Sequence, residues 1–236
     1  MTTYRNGRNR ILIITLFLLA AFITPLVMAQ QETNDATVVS YKLDWATATD
    51  EAESITTDLG YEIFLAEGNV TTYSAELLVC DDLNVSDWLA PPTVYAGHGG
   101  EISEARTTAP KTESLLATTA VFLQTRTIAA DNYCAIQVVL GSDAAANQPT
   151  LQISGSYLAP QQDTAVSFSY QTTLAWGDIY RLPTTIGKQE TAVSITIQRD
   201  SSQLFNGIDF TTDSNSDIEK ALLRNLVNSI EIIVEK

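Results

Sequence analysis

From residue 39 the chain alternates with a period of two: Val39, Tyr41, Leu43 and Trp45 fall on one side, Ser40, Lys42 and Asp44 on the other. Side chains of an extended strand point alternately to opposite faces, so this pattern predicts a half-buried strand over residues 37–45. The same period returns at Cys134, Ile136, Val138 and Leu140, at Leu151, Ile153, Gly155 and Tyr157, at Val166, Phe168 and Tyr170, and at Val193, Ile195 and Ile197. Short alternating runs separated by turn formers predict an all-β fold, an antiparallel β-sandwich of Greek-key-like type.

Between these runs the sequence predicts a strand over residues 60–66, a hairpin-like turn at Glu67-Gly68-Asn69 and a longer strand over residues 70–80. The run at 166–170 is expected to continue through Leu174 and Trp176, and residues 127–141 read as one strand. Residues 113–125 fit a short helix or a strand equally. Residues 81–112 hold Asp81-Asp82, Pro91-Pro92, Gly97-His98-Gly99-Gly100 and Pro110, all turn formers, and read as one long loop. Loops of that length in a single domain are commonly functional. At the C-terminus Ser216-Asp217-Ile218-Glu219 reads as a capping box. Ile218, Ala221, Leu222, Leu226 and Val227 follow at helical spacing, predicting one short helix over residues 217–228 and then a strand over 230–234.

The first 29 residues have a different character. Arg5, Arg8 and Arg10 precede an unbroken apolar run over residues 11–23, then Pro25 and Val27-Met28-Ala29. This is the layout of a secretory signal peptide cleaved after Ala29; an uncleaved anchor is the alternative. The expected organisation is therefore a leader, 1–29, and a single domain, 30–236, and the expected location is periplasmic or extracellular. Without the three leader arginines the chain has 10 basic residues against 28 acidic ones, a net charge of −18. Nucleic acid and anionic membrane surfaces need basic patches, so neither is an expected partner.

Cys80 and Cys134 are the only cysteines. In an exported chain a pair fits a disulfide, which at 54 residues' separation would contribute roughly 4 kcal/mol by the chain-entropy model. The alternative is a thiolate metal site, though no CxxC or CxH motif accompanies them. Between the cysteines stands the one histidine, His98, flanked by glycines. An imidazole on an open backbone can ligate a metal, and Asp81, Asp82, Glu101 and Glu104 are the nearby carboxylates that could complete a copper or zinc site. The other reading is a solvent-exposed histidine with no ligand.

Other constellations are weaker. Asp213-x-Asn215-x-Asp217 opens like a calcium loop, but Ile218 stands where glycine is needed and Arg224 where a bidentate glutamate is needed. A polar turn feeding a helix cap is the simpler account. No GxSxG elbow accompanies His98, and the acids show no specific pairing, so no enzymatic activity is expected. Asn69-Val-Thr71 and Asn84-Val-Ser86 are glycosylation sequons.

Four segments occur in order: Tyr73-Ser74-Ala75-Glu76-Leu77-Leu78-Val79-Cys80, Ala96-Gly97-His98-Gly99, Asn132-Tyr133-Cys134, and Leu204-Phe205-Asn206-Gly207-Ile208-Asp209-Phe210. Together they resemble a group of exported bacterial β-rich proteins with one cysteine pair and a histidine-containing loop. That group is loosely similar to the periplasmic copper-binding proteins of methanobactin operons. The resemblance implies a β-sandwich, a Cys80–Cys134 disulfide and a metal role for the loop. The related pattern has His-x-His-Gly between the cysteines; this chain keeps His98 and has Ala96 at the first histidine position. The alternative function is a surface interaction or structural module, in which Trp88, Tyr95 or Trp176 would contact a protein or polymer.

Overall fold

The computed structural model describes residues 36–46, 54–82 and 103–236, all within one unit, Asp35–Lys236. The expected leader, the sequon at Asn84, Trp88, Tyr95, His98 and Glu101 lie outside the described residues. The elements in chain order are β1 (Ala36–Trp45), β2 (Ile55–Thr56), β3 (Glu62–Val79), β4 (Lys111–Ser114), β5 (Val121–Ala129), β6 (Tyr133–Leu140), β7 (Leu151–Leu158), β8 (Val166–Thr172), β9 (Trp176–Ile186), β10 (Ala192–Arg199), α1 (Asn215–Asn228) and β11 (Glu231–Glu235). The fold is an all-β sandwich with one helix near the C-terminus.

The first sheet has the order β11-β10-β1-β5. Its inner face is the alternation read from the sequence: Val39, Tyr41 and Leu43 of β1 lie beside Val193, Ile195 and Ile197 of β10, all buried. β1 and β10 run parallel, while β5 and β11 pair antiparallel at the edges. This parallel pair departs from a wholly antiparallel sandwich.

The second sheet is built on β3, at 18 residues the longest strand. Val70 has Leu151 and Glu113 as its two partners, and Thr72 has Leu140 and Lys111. A strand has two edges, and β4 takes one of them at both positions. β6 and β7 therefore lie end to end along the other edge. Beyond them β8 and β9 are also end to end, Thr172 opposite Leu151 and Trp176 opposite Leu140. The sheet is thus three long antiparallel runs, with residues 141–150 looping out between β6 and β7 and pinned by Asp143–Gln148 hydrogen bonds.

Each half of this sheet covers a different core. The half with β6 and β9 packs Ala75, Leu77, Ile136, Val138 and Ile186 on the inner face of the first sheet. The half with β7 and β8 packs Ile63, Ile153, Phe168 and Tyr170 against Leu204, Phe205 and the α1 residues Ile218, Leu222 and Leu226. Full burial of each Leu, Ile, Val or Phe side chain among these stabilises by about 1.5–3 kcal/mol.

The hairpin expected at Glu67-Gly68-Asn69 does not form; β3 runs straight through it. Its register slips by one residue between Leu65 and Glu67, and Gly68 lies opposite Ile153 with the Leu115 side chain over it. A Cβ there would approach Leu115 at 3.1 Å, so the glycine provides room for packing and not a turn. Asn69 is consequently half-buried and paired on both sides, unlike the loop asparagine that a glycosylation site requires. The strand expected over 127–141 is broken at residues 130–132 into the end of β5 and β6. The run from Val166 breaks after Thr172 and restarts as β9, which extends through Pro183. The helix cap is Ser214, two residues ahead of the expected one: Asp217 N–H donates to Ser214 Oγ, and Ser214 Oγ–H donates to Asp217 Oδ2.

Candidate functional site

The cysteines meet as a disulfide where β3 ends, with Cα atoms 5.0 Å apart. Leu78 pairs with Ala135 and Val79 with Tyr133, so the bond ties strands that are already neighbours. Cys80 N–H also donates to the Asn132 carbonyl at 2.8 Å. The staple thus fixes the point at which the chain leaves the sheet; Cys80–Asp82 then forms a 3-10 turn.

The chain is described again from Ser103, and it returns to the strand it left. Thr107 N–H donates to the Ala75 carbonyl at 2.8 Å, and Ala75 N–H to Thr107 Oγ1 at 2.9 Å. From the first sheet, Tyr41 Oη–H donates to the Ala105 carbonyl at 2.8 Å and Arg126 Nε–H to the Glu104 carbonyl at 3.0 Å. Between the end of β3 and this returning segment lies a cleft of about 340 Å³, lined by Glu76, Leu78, Val79, Ser103, Glu104 and Tyr133 among others. Its two carboxylates are Glu76 of β3 and Glu104 of the returning segment.

The electrostatics follow from burial. Tyr41 lies under the cleft, and burial holds its hydroxyl far above the usual tyrosine range; Tyr133 and Glu76 add to the rise and Arg126 opposes it. Tyr133 is raised too, first by burial and then by the charges of Asp131 and Glu104. Both are neutral hydrogen-bond donors at physiological pH.

Of the residues singled out in the sequence, Glu104 is exposed and lines the cleft, and Asp81 is exposed two residues beyond Val79. Asp82 closes the same 3-10 turn. Among the described residues no group of three or more His, Cys, Asp or Glu side chains is arranged to hold a metal ion. Trp176 is half-buried against the helix-side core and is not an exposed contact residue. Asp213, Asn215 and Asp217 lead into the helix as a capped turn, with Asp213 Oδ2 accepting from Asp209 N–H at 2.9 Å. Sequence reasoning missed Glu76, Ser103 and Tyr133. Each sits at an ordinary strand or loop position, and only the return of residues 103–107 to β3 gathers them.

The fold and staple define a class: a disulfide-bonded β-sandwich with a cleft edged by Glu76 and Glu104 beside the end of β3. Comparison with family models, with curated proteins and with solved structures gives no match to this chain. Among the described residues no helix is long and apolar enough to cross a membrane.

Proposed function

We propose that the protein is an exported accessory protein that binds a transition-metal ion, copper or zinc, through His98 and the carboxylates at the root of its loop. One observation carries the reading: Val79 and Glu104, on either side of the segment containing His98, line the same cleft. The chain thereby holds both ends of that segment together, with Asp81 near one end and Glu104 at the other. One imidazole with carboxylates suits copper(II) or zinc better than magnesium. The disulfide and the acidic composition fit an oxidising, extracytoplasmic setting. Isothermal titration with copper(II) and with zinc tests it. Binding at micromolar strength or tighter, lost in His98→Ala and weakened in Glu104→Gln, is the expected result. No binding, or binding indifferent to His98→Ala, would discard it.

The second reading is a surface interaction module, favoured by the large apolar side chains Phe64, Tyr73 and Phe122 that face solvent. A pull-down and glycan screen with the purified protein, repeated with Phe122→Ser, tests that reading; a partner retained equally by the variant counts against it.

A further inference from the structure

We infer that β8 is a self-association edge, at which a second copy of this chain pairs antiparallel to extend the second sheet. A strand at a sheet edge presents unpaired N–H and C=O groups, and proteins that remain monomeric blunt such edges with charge, proline, bulges or a covering segment. The other sheet edges here are blunted: β2 and β4, on the far side of β3, are only two and four residues long. β5 carries Arg126 and is crossed by residues 104–108, through Thr108 N–H to Gln124 Oε1 and Arg126 Nε–H to the Glu104 carbonyl. β11 is five residues long with a glutamate at each end. β9 holds Arg181 and Pro183, and Lys236 Nζ reaches across to the Thr185 carbonyl at 2.9 Å.

Among the described residues β8 has none of these devices. Its seven residues, Val-Ser-Phe-Ser-Tyr-Gln-Thr, pair with β7 in unbroken register, and along the other side no backbone partner occurs among the described residues. The chain has no charged residue from 164 to 177, although its formal net charge is −15. Two copies repel least where they meet on an uncharged stretch. Strand pairing at this edge requires no other chemistry than the backbone supplies.

The sequence of β8 also complements itself. In a two-fold pairing centred on Ser169, Phe168 lies opposite Tyr170 of the second copy, and Ser167 opposite Gln171. Phe168 and Tyr170 are the buried face, stacked at 5.5 Å, and their ring cluster continues through Phe210. Cross-strand aromatic pairs would join the two clusters, while Ser167, Ser169 and Gln171 stay on the solvent face. The proposal is independent of any metal or ligand at the cleft.

Sedimentation velocity on the purified full-length chain is the test, with Ser169→Lys, Ser169→Glu and their equimolar mixture. Residue 169 is solvent-facing, and thermal melting of each variant checks that its fold is intact. The expected result is a concentration-dependent dimer. Either charge alone weakens it by about tenfold or more, because like charges then face each other at the two-fold axis. The mixture restores it, because Lys then faces Glu. A wild-type monomer throughout the micromolar range overturns the proposal. So does a dimer insensitive to Ser169→Lys, or one that the mixture fails to restore.

Discussion

Arg199 and Glu113 form an ion pair in which neither side chain touches solvent. Arg199 follows Ile197 of the sheet–sheet core and lies in register with Trp45 of the helix-side core, so the pair stands between the two cores. Arg199 Nη1–H donates to Glu113 Oε1, and Nη2–H donates to Thr72 Oγ1 at 2.8 Å. The guanidinium carbon lies 5.8 Å from the Trp45 ring centroid. Burial lowers the arginine to about 10, which leaves it charged at neutral pH. One guanidinium thereby joins β10, β4 and β3, elements of both sheets.

Breaking such a pair from one side costs far more than replacing it. Arg199→Met leaves the Glu113 carboxylate buried and unpaired, and urea unfolding should show a loss of about 3–5 kcal/mol. Arg199→Met combined with Glu113→Leu should recover most of that loss, since two apolar side chains need no partner. A double variant as unstable as the sum of the single ones would show that the pair is not coupled.

The disulfide has a different role. Its strands already share backbone hydrogen bonds and the packing of Leu77 and Ile136, so it holds the loop root more than the sheet. Replacing Cys80 and Cys134 together by alanine should cost about 2–4 kcal/mol, mostly through the unfolded chain, and leave the far-ultraviolet spectrum unchanged. Loss of the β spectrum in the oxidised-to-alanine comparison would mean that the staple is needed for the sheet itself.

Much of this architecture is legible from period two. β1, β7 and β10 each bury the side chains that alternate with polar ones, because each has one face on a core. What stays hidden is set by tertiary partners. Glu67-Gly68-Asn69 has turn chemistry, yet Leu115 and the pairing of Gly68 opposite Ile153 hold it extended. Glu113 opens the stretch that fits helix or strand equally, and it becomes a core residue only because Arg199, 86 residues away, meets it. The cleft is likewise assembled by the return of Thr107 to Ala75, which no local pattern announces. The cysteine pairing stands in the sequence between a disulfide and a thiolate metal site, and the adjacent ends of β3 and β6 make it a disulfide.

At low pH, Asp209 should be the tie that persists longest. Its Oδ1 accepts from Thr211 N–H at 2.9 Å, from Thr211 Oγ1–H at 2.6 Å and from Tyr61 Oη–H at 2.6 Å. These bonds, those from Thr211 first, hold its carboxyl far below the usual aspartate range. A depressed folded pKa gives stability that is present above the unfolded value, near 4, and is lost as pH falls through the folded value. Asp209→Asn should therefore be less stable than wild type at neutral pH, with the gap closing only on strong acidification. Carbon-detected NMR titration of the carboxyl checks the cause directly; an ordinary aspartate midpoint would remove the explanation.

At high pH, the sign reverses onto the tyrosines. Tyr41 and Tyr180 are raised well above the ordinary value, both chiefly by burial, and each donates its hydroxyl proton to a carbonyl, Ala105 and Val227 respectively. A raised folded pKa gives stability that is complete below the unfolded value, about 10, and declines as pH rises above it. Ultraviolet titration of the phenolate band should show Tyr41 and Tyr180 ionising only as the protein unfolds. Tyr41→Phe should cost roughly 1–3 kcal/mol at neutral pH, since the Ala105 carbonyl loses its donor. That difference should shrink when urea unfolding is repeated in alkaline buffer. A gap that holds constant or widens would place the Tyr41 hydroxyl in solvent, against its burial and its bond to the Ala105 carbonyl.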